Sequence, residues 1–181
     1  MHQEDAAILA NFKNQNTRNQ AFDSLLKKYQ QRVYWHVRRM VLDHDDANDL
    51  VQDVFIKVWK NLDNFREDSK LYTWLYRIAS NECITFLNRK KLRPTVSFDD
   101  VSHDLADKLV DGAYLDGNKI QLALQKAILT LPDKQRLVFN MKYFEEMKYE
   151  EISEVVGTSV GALKASYHFA VKKIEKLLKE D

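Results

Sequence analysis

Between residues 72 and 91 the chain reads YTWLYRIASNECITFLNRKK, a single stretch that begins aromatic and ends basic. Tyr72, Trp74 and Tyr76 follow closely on Phe65, and Arg89, Lys90 and Lys91 close the stretch, with Arg93 just beyond. From Lys70 to Arg93 six basic residues stand against one acid, Glu82, a net of +5. Rings that can stack on bases, beside cations that can follow a phosphate backbone, are what holds single-stranded nucleic acid. Stacking contributes about 1–3 kcal/mol per base and demands no fixed sequence. The same stretch also carries a packing signal. Trp74, Leu75, Ile78, Ala79, Phe86 and Leu87 recur at helical spacing, so part of the set must be core. The basic end could equally offset the macrodipole of a helix C-terminus.

A second chemistry-bearing segment lies at 148–172, KYEEISEVVGTSVGALKASYHFAVK. Ile152, Val155 and Val156 give a short amphipathic helix, Gly157 suits a left-handed turn, and Thr158 or Ser159 caps the helix that follows. This is the form of a helix-turn-helix, whose second helix enters the major groove with its N-terminal part. Val160, Leu163, Tyr167 and Ala170 fall on the core side. Ser159, Gly161, Ala162, Lys164, Ala165 and His168 then face DNA. From Lys164 to Lys179 five lysines and one glutamate leave a net of +4, suited to phosphates. Short helical hairpins with a glycine turn also occur without DNA, so spacing by itself leaves both readings open.

The elements that position these segments are helical. Only 4 Gly and 2 Pro occur in 181 residues. A long helix is expected from near Ala21 to Val41, with Phe22, Leu25, Leu26, Tyr29, Val33, Val37 and Met40 on one face. After a break at 44–46, with Asp45 or Asp46 as cap, the next helix reads DANDLVQDVFIKVWKNL. It buries Leu50, Val51, Val54, Phe55, Val58, Trp59 and Leu62. Asp49, Gln52, Asp53, Ile56 and Lys60 point away. An isoleucine flanked by Gln52 and Asp53 on a polar face is a candidate centre for a partner contact. Residues 94–118 carry six Asp and one Lys, a net of −5, without periodicity, and read as an acidic linker. Helical patterning resumes at Lys119, and Pro132 opens a further helix.

Composition bounds the function. The chain has 45% hydrophobic residues and a net charge of only +1, enough for cores and against a uniformly basic coat. The single Cys83 cannot form an internal disulfide, which fits a reducing cytoplasm. The N-terminal MHQEDAAILANF lacks a signal-peptide pattern, and no apolar run spans a bilayer. The five His are scattered without ligand spacing, and no nucleophile–base pair or phosphate-cradling glycine loop appears. The expectation is a non-enzyme without metal or cofactor. A stand-alone helix-turn-helix regulator with an N-terminal sensor is the alternative, and a polar docking helix argues against it.

Taken together, DANDLVQDVFIKVWKNLDNFREDSKLYTWLYRIASNECITFLNRKK and LPDKQRLVFNMKYFEEMKYEEISEVVGTSVGALKASYHFAVKKIEKLL resemble regions 2 and 4 of bacterial RNA polymerase sigma factors. The resemblance is to the extracytoplasmic-function (ECF) subfamily of the sigma-70 family, and it covers nearly the whole chain from about residue 20. It implies an all-α chain of two small helical domains. Residues 1–93 would form the region-2-like domain, 94–118 the acidic linker along the polymerase's RNA exit path, and 119–181 the region-4-like domain. It further implies a promoter-specificity subunit that docks on the clamp helices of core RNA polymerase through Asp49, Gln52, Asp53 and Ile56. The resemblance places Phe65, Arg66, Ser69, Tyr72, Tyr76, Arg77, Asn81, Arg89 and Lys90 near the melted minus-ten strand, with Trp74 assigned to packing. Ser159, Gly161, Ala162, Lys164, Ala165, His168 and Lys172 would read the minus-thirty-five element. Family members often carry Arg where Ser166 and Phe169 stand here, so Lys164, Lys172 and Lys173 would supply phosphate contacts instead. A cognate anti-sigma factor is the remaining implied partner, the chain itself staying cytoplasmic without membrane insertion.

Overall fold

The computed structural model describes residues 2–92 and 119–180, and the acidic stretch 94–118 lies outside them. Every regular element among the described residues is helical. The first half holds α1 (His2–Phe12), α2 (Arg18–Val41), α3 (His44–Asn61), a 3-10 turn (Leu62–Asn64) and α4 (Leu71–Lys91). The second holds α5 (Lys119–Leu129), α6 (Asp133–Tyr143), α7 (Tyr149–Val156) and α8 (Val160–Glu180).

The stripe expected on the first long helix is buried at its centre, with Phe22 and Leu26 half-buried at its edge. Leu25, Tyr29, Val33, Val37 and Met40 are each 2% exposed or less. The helix begins three residues earlier than periodicity suggested, at Arg18, because that side chain is tied down. Its guanidinium lies 4.0 Å over the Phe12 ring and makes two hydrogen bonds to Asp63 at 3.1 and 2.6 Å. Helix α1 was not foreseen. Its charges hide a short apolar face, Ile8, Leu9 and Phe12, that closes the bottom of the bundle. Asp5 is buried there as the acceptor of Tyr29 Oη and Lys28 Nζ, both at 2.8 Å, which satisfies the charge on the inner side of α1.

The break between α2 and α3 is sharp. Leu42 takes a left-handed conformation at φ 62° and donates its N–H to the Arg38 carbonyl. That backbone costs a leucine roughly 1–2 kcal/mol, and complete burial of the side chain offsets it. The cap of α3 is Asp43, two or three residues before the expected Asp45 or Asp46. Its Oδ1 accepts from the backbone N–H groups of both residues, at 2.9 and 3.0 Å. Asp45 and Asp46 occupy the first turn, where their charge suits the dipole.

The two halves pack on one another. A continuous apolar core runs from Ile8 and Phe12 through Leu75, Ala79 and Leu87 to Leu137, Met141, Ile152 and Leu163. A smaller core of Ala127, Ile128, Leu131, Phe139, Ala170 and Ile174 holds α5, α6 and α8 together. Across the seam, Arg136 of α6 donates from Nη2 to the Met40 carbonyl at 3.2 Å, and Asn140 reaches the Arg39 carbonyl at 3.5 Å. These are carbonyls of the last turn of α2, which that helix cannot satisfy itself. The second half thus caps a helix of the first.

His36 lies beside this seam, with Nε2 3.0 Å from Ser80 Oγ and its ring 4.7 Å from that of Tyr76. Burial, with the Arg39 charge adding to it, pulls its pKa from 6.5 down to about 3. The folded chain keeps this ring neutral where the unfolded chain protonates it. Its effect on stability is therefore absent above about pH 6.5 and destabilising as pH falls from there toward 3. One proton is worth about 1.4 kcal/mol per pH unit. The urea midpoint of the natural chain should therefore fall more steeply across that window than that of His36→Gln. Parallel curves would show that His36 does not titrate differently on unfolding.

Candidate nucleic-acid interface

Three surfaces emerge, each set by a different physical feature. On α3, Asp49, Gln52, Asp53 and Ile56 are all exposed and follow one another at helical spacing on a single stripe. Ile56 is 51% exposed, while Leu50, Val51, Val54, Phe55 and Val58 are buried on the opposite side. An exposed branched apolar side chain ringed by carboxylates and an amide contributes nothing to this fold and is available to a partner.

On α4 the outcome differs from the pattern in an informative way. Tyr76 is 1% exposed, and its hydroxyl donates to Glu145 at 2.6 Å. Burial and the Glu145 charge push its pKa far above the usual phenol range. In this arrangement Tyr76 offers no face to a strand. Trp74, assigned to packing, is only half-buried. It stacks obliquely on Phe65 at 5.2 Å and walls a cavity of about 370 Å³ together with Asn61, Asn64, Ile78 and Asn81. The Lys57–Glu82 ion pair closes its rim. The reversal has a simple cause: positions 74 and 76 are about 200° apart around a helix. When the seam covers one of them, the other must face out. An indole wall, an aliphatic floor and three side-chain amides form a cavity suited to a flat, hydrogen-bonding ring such as a nucleobase. Asn61, Asn64 and Ile78 were absent from the sequence-based set. Their clustering depends on the 3-10 turn, which no periodicity announces.

The remaining residues of that set divide. Arg66 is exposed, while Phe65 and Ser69 are half-buried and line a separate cleft of about 750 Å³ with Lys70, Thr73 and three glutamates of α7. Tyr72 is half-buried, its ring in edge contact with Tyr76 at 6.3 Å. Burial and the neighbouring Glu151 carboxylate raise its pKa well above the usual phenol range. Arg77 is half-buried near them. Arg89 and Lys90 stand at the far end of α4, about 25 Å from Tyr72 at the rise of an α-helix. Arg89 lines a cleft with Asp46, Asp49 and Asp53 of α3, and Lys90 pairs with Asp46 at 3.7 Å. The basic end of α4 therefore borders α3 and not the aromatic cluster.

In the second half the helix-turn-helix takes its expected form. Gly157 is left-handed at φ 67°, and its N–H bonds the Ser153 carbonyl. Ser159 Oγ accepts from the Ala162 N–H at 3.4 Å, which makes it the cap of α8. Ile152, Val155, Leu163 and Ala170 are buried. Ser159, Gly161, Ala162, Lys164, Ala165, His168 and Lys172 are all exposed. Tyr149 receives Lys142 at 5.0 Å and Lys164 at 5.8 Å over its ring, which holds one cation of α6 and one of α8 on the same ring. Phe169, where a family arginine was noted as missing, is 63% exposed.

Known proteins agree with this division. The Sigma-70 region 2 profile matches residues 25–93, and that of Sigma-70, region 4 matches residues 121–174. The RNA polymerase sigma-H factor of Pseudomonas aeruginosa is 34% identical over 166 residues, covering 87% of this chain and 86% of its own. The ECF RNA polymerase sigma factor SigW of Bacillus subtilis is 30% identical over 168 residues, covering 88% and 90%. Among solved structures, CnrH in complex with the cytosolic domain of CnrY superposes with a TM-score of 0.70 at 24% identity, over 98% of this chain and 99% of that one. The sigma factor RpoE of Bartonella quintana, solved with the anti-sigma factor NepR, gives 0.67 at 24% identity, over 88% and 98%. No described helix is long and apolar enough to cross a membrane. On both halves, in order and over most of its length, the chain belongs to the sigma-70 family of RNA polymerase sigma factors, as a member of its ECF group.

Proposed function

We propose that this chain binds core RNA polymerase and carries it to promoters, reading duplex DNA with α8 and holding a displaced base of the minus-ten strand on α4. The cavity walled by Trp74 and rimmed by Asn61, Asn64 and Asn81 carries the strand reading. It has the shape and the donors and acceptors of a base site and no other evident use. Flipping a base out of the stack costs a few kcal/mol. Stacking on Trp74, hydrogen bonds from the amides and phosphate contacts from Arg66 and Lys70 offset that cost. The α3 stripe of Asp49, Gln52, Asp53 and Ile56 supplies the polymerase contact. At the upstream element the exposed face from Ser159 to Lys172 enters the major groove, and the lysines of α8 follow the phosphates. The chain works as a cytoplasmic factor, with the acidic segment 94–118 as the linker in sequence between its two halves. A cognate anti-sigma factor is a further partner; RpoE was solved with the anti-sigma factor NepR, and CnrH with the cytosolic domain of CnrY.

The direct test is transcription by core polymerase on a library of random promoters, with and without the chain. The expected result is a set of transcripts that requires the chain and shares two spaced sequence elements. No chain-dependent transcript would overturn the proposal.

A further inference from the structure

The cleft of about 750 Å³ that contains Phe65 and Ser69 is strongly anionic: six carboxylates line it against two lysines, Lys70 and Lys148. Part of this charge is met within the fold. Asp5 accepts from Lys28 and Tyr29, both at 2.8 Å, and Glu67 lies 3.8 Å from Lys13. Glu151 accepts from Lys70 at 2.7 Å. Burial alone would raise the Glu151 carboxyl, yet the Lys70 bond and charge, with the Lys148 N–H, hold it down at about 2, so it stays ionised. The other three acids, Asp68, Glu150 and Glu154, make no ion pair among the described residues. Glu150 stands in the first turn of α7, where its charge suits the helix dipole. Glu154 lies a turn beyond it, and Asp68 belongs to the loop before α4, so the dipole accounts for neither. Acids gathered from two sides of one cleft draw cations more strongly than a lone surface acid does.

Two further observations say what kind of cation fits. Thr73, fully buried, lines the same cleft, and its Oγ1 has no hydrogen-bond partner. A buried hydroxyl left unpaired is destabilising, and a donor entering the cleft would relieve it. Ala6, Leu9, Phe65 and Leu71 add apolar lining. Among the described residues no three His, Cys, Asp or Glu side chains converge as a single metal ion requires. The cleft thus offers spread negative charge, apolar surface and one vacant acceptor. A compact hydrated ion would use only the first of these.

We propose that this cleft binds a linear polyamine, a chain of protonated amines joined by short methylene segments. Its ammonium groups pair with Asp68, Glu150 and Glu154, and one of them donates to Thr73 Oγ1. The methylenes cover Leu9 and Leu71, and an ammonium against the Phe65 ring adds a cation–π contact. The site shares no residue with the Trp74 cavity and does not rest on the strand reading.

The test is calorimetric titration of the full chain with spermidine in about 0.15 M salt, where diffuse surface attraction is largely screened. The expected result is one saturating site per chain. Glu150→Gln together with Glu154→Gln, both at exposed positions, should weaken binding about tenfold, as loss of two ion pairs near the surface does. Asp68→Asn should weaken it severalfold, and because it lies outside α7 that loss cannot come from damage to the helix. Thr73→Val keeps the shape of the side chain and removes a hydroxyl that has no partner in the free chain. Its urea midpoint should hold or rise, while its affinity for spermidine falls severalfold. A purely structural role for Thr73 would not separate the two readouts in this way. Heats that never saturate, or that magnesium at equal ionic strength reproduces, would show a general counterion effect and overturn the site. Unchanged affinity in the Glu150 and Glu154 double variant, or in Thr73→Val, would overturn it as well.

Discussion

A chain carrying Asp53→Arg and Ile56→Arg is expected to melt at the same temperature as the natural protein and to lose its hold on core polymerase. Both positions are exposed on α3, and neither makes a contact that the fold needs. Surface changes of this kind shift stability by no more than about 0.5 kcal/mol. Ile56 is the apolar centre of a polar stripe, and such centres cost about 2–4 kcal/mol when removed from an interface. That corresponds to a loss of roughly thirty- to a thousandfold in affinity. Replacing an acid by Arg beside it adds like-charge repulsion if the partner surface is basic, as an acidic stripe requires. Titration of the labelled chain with core polymerase reads the effect. Binding within a few-fold of the natural chain would remove α3 as the docking element.

The second large effect concerns Tyr76. Tyr76→Ala should destabilise the fold by about 3–5 kcal/mol, the usual cost of truncating a fully buried aromatic side chain. Tyr76→Phe should cost about 1–3 kcal/mol, because it leaves the buried Glu145 carboxylate without one of its donors. Chemical denaturation measures both. If Tyr76→Ala lowered stability by less than about 1 kcal/mol, the closed seam would not be the state that dominates in solution. The same result bears on how promoter opening is assayed. A loss of opening in Tyr76→Ala would report lost folding, so the informative substitutions are those lining the cavity.

The sequence made the helical class, the order of the two motifs and the exposed polar stripe of α3 legible, because each is written in local periodicity. Ile56 is conspicuous as soon as α3 is drawn as a helix, and Gly157 and Ser159 announce their turn by residue type. Helix α1 escaped because Asp5 sits on its inner side, and a buried charge looks polar until Tyr29 and Lys28 are seen to meet it. The base-sized cavity escaped for another reason. Asn61 ends α3 and Asn64 lies on the 3-10 turn that follows, so neither bears a periodic relation to Trp74 and Asn81.

What the chain alone decided was which side chains could serve: aromatic rings and cations on α4, a polar stripe on α3, small and basic residues at the start of α8. What only the tertiary structure decided was which of them face outward. Tyr72, Trp74 and Tyr76 are equivalent in sequence, each an aromatic residue in the first turns of one helix. Packing of the second half on α4 breaks that equivalence. Burying one side of α4 against Glu145 and Glu151 commits Tyr76 wholly and Tyr72 in part to the seam, and leaves Trp74 to wall the open cavity. Burial depends on what packs against each side of a helix, and the partner here is more than fifty residues away along the chain.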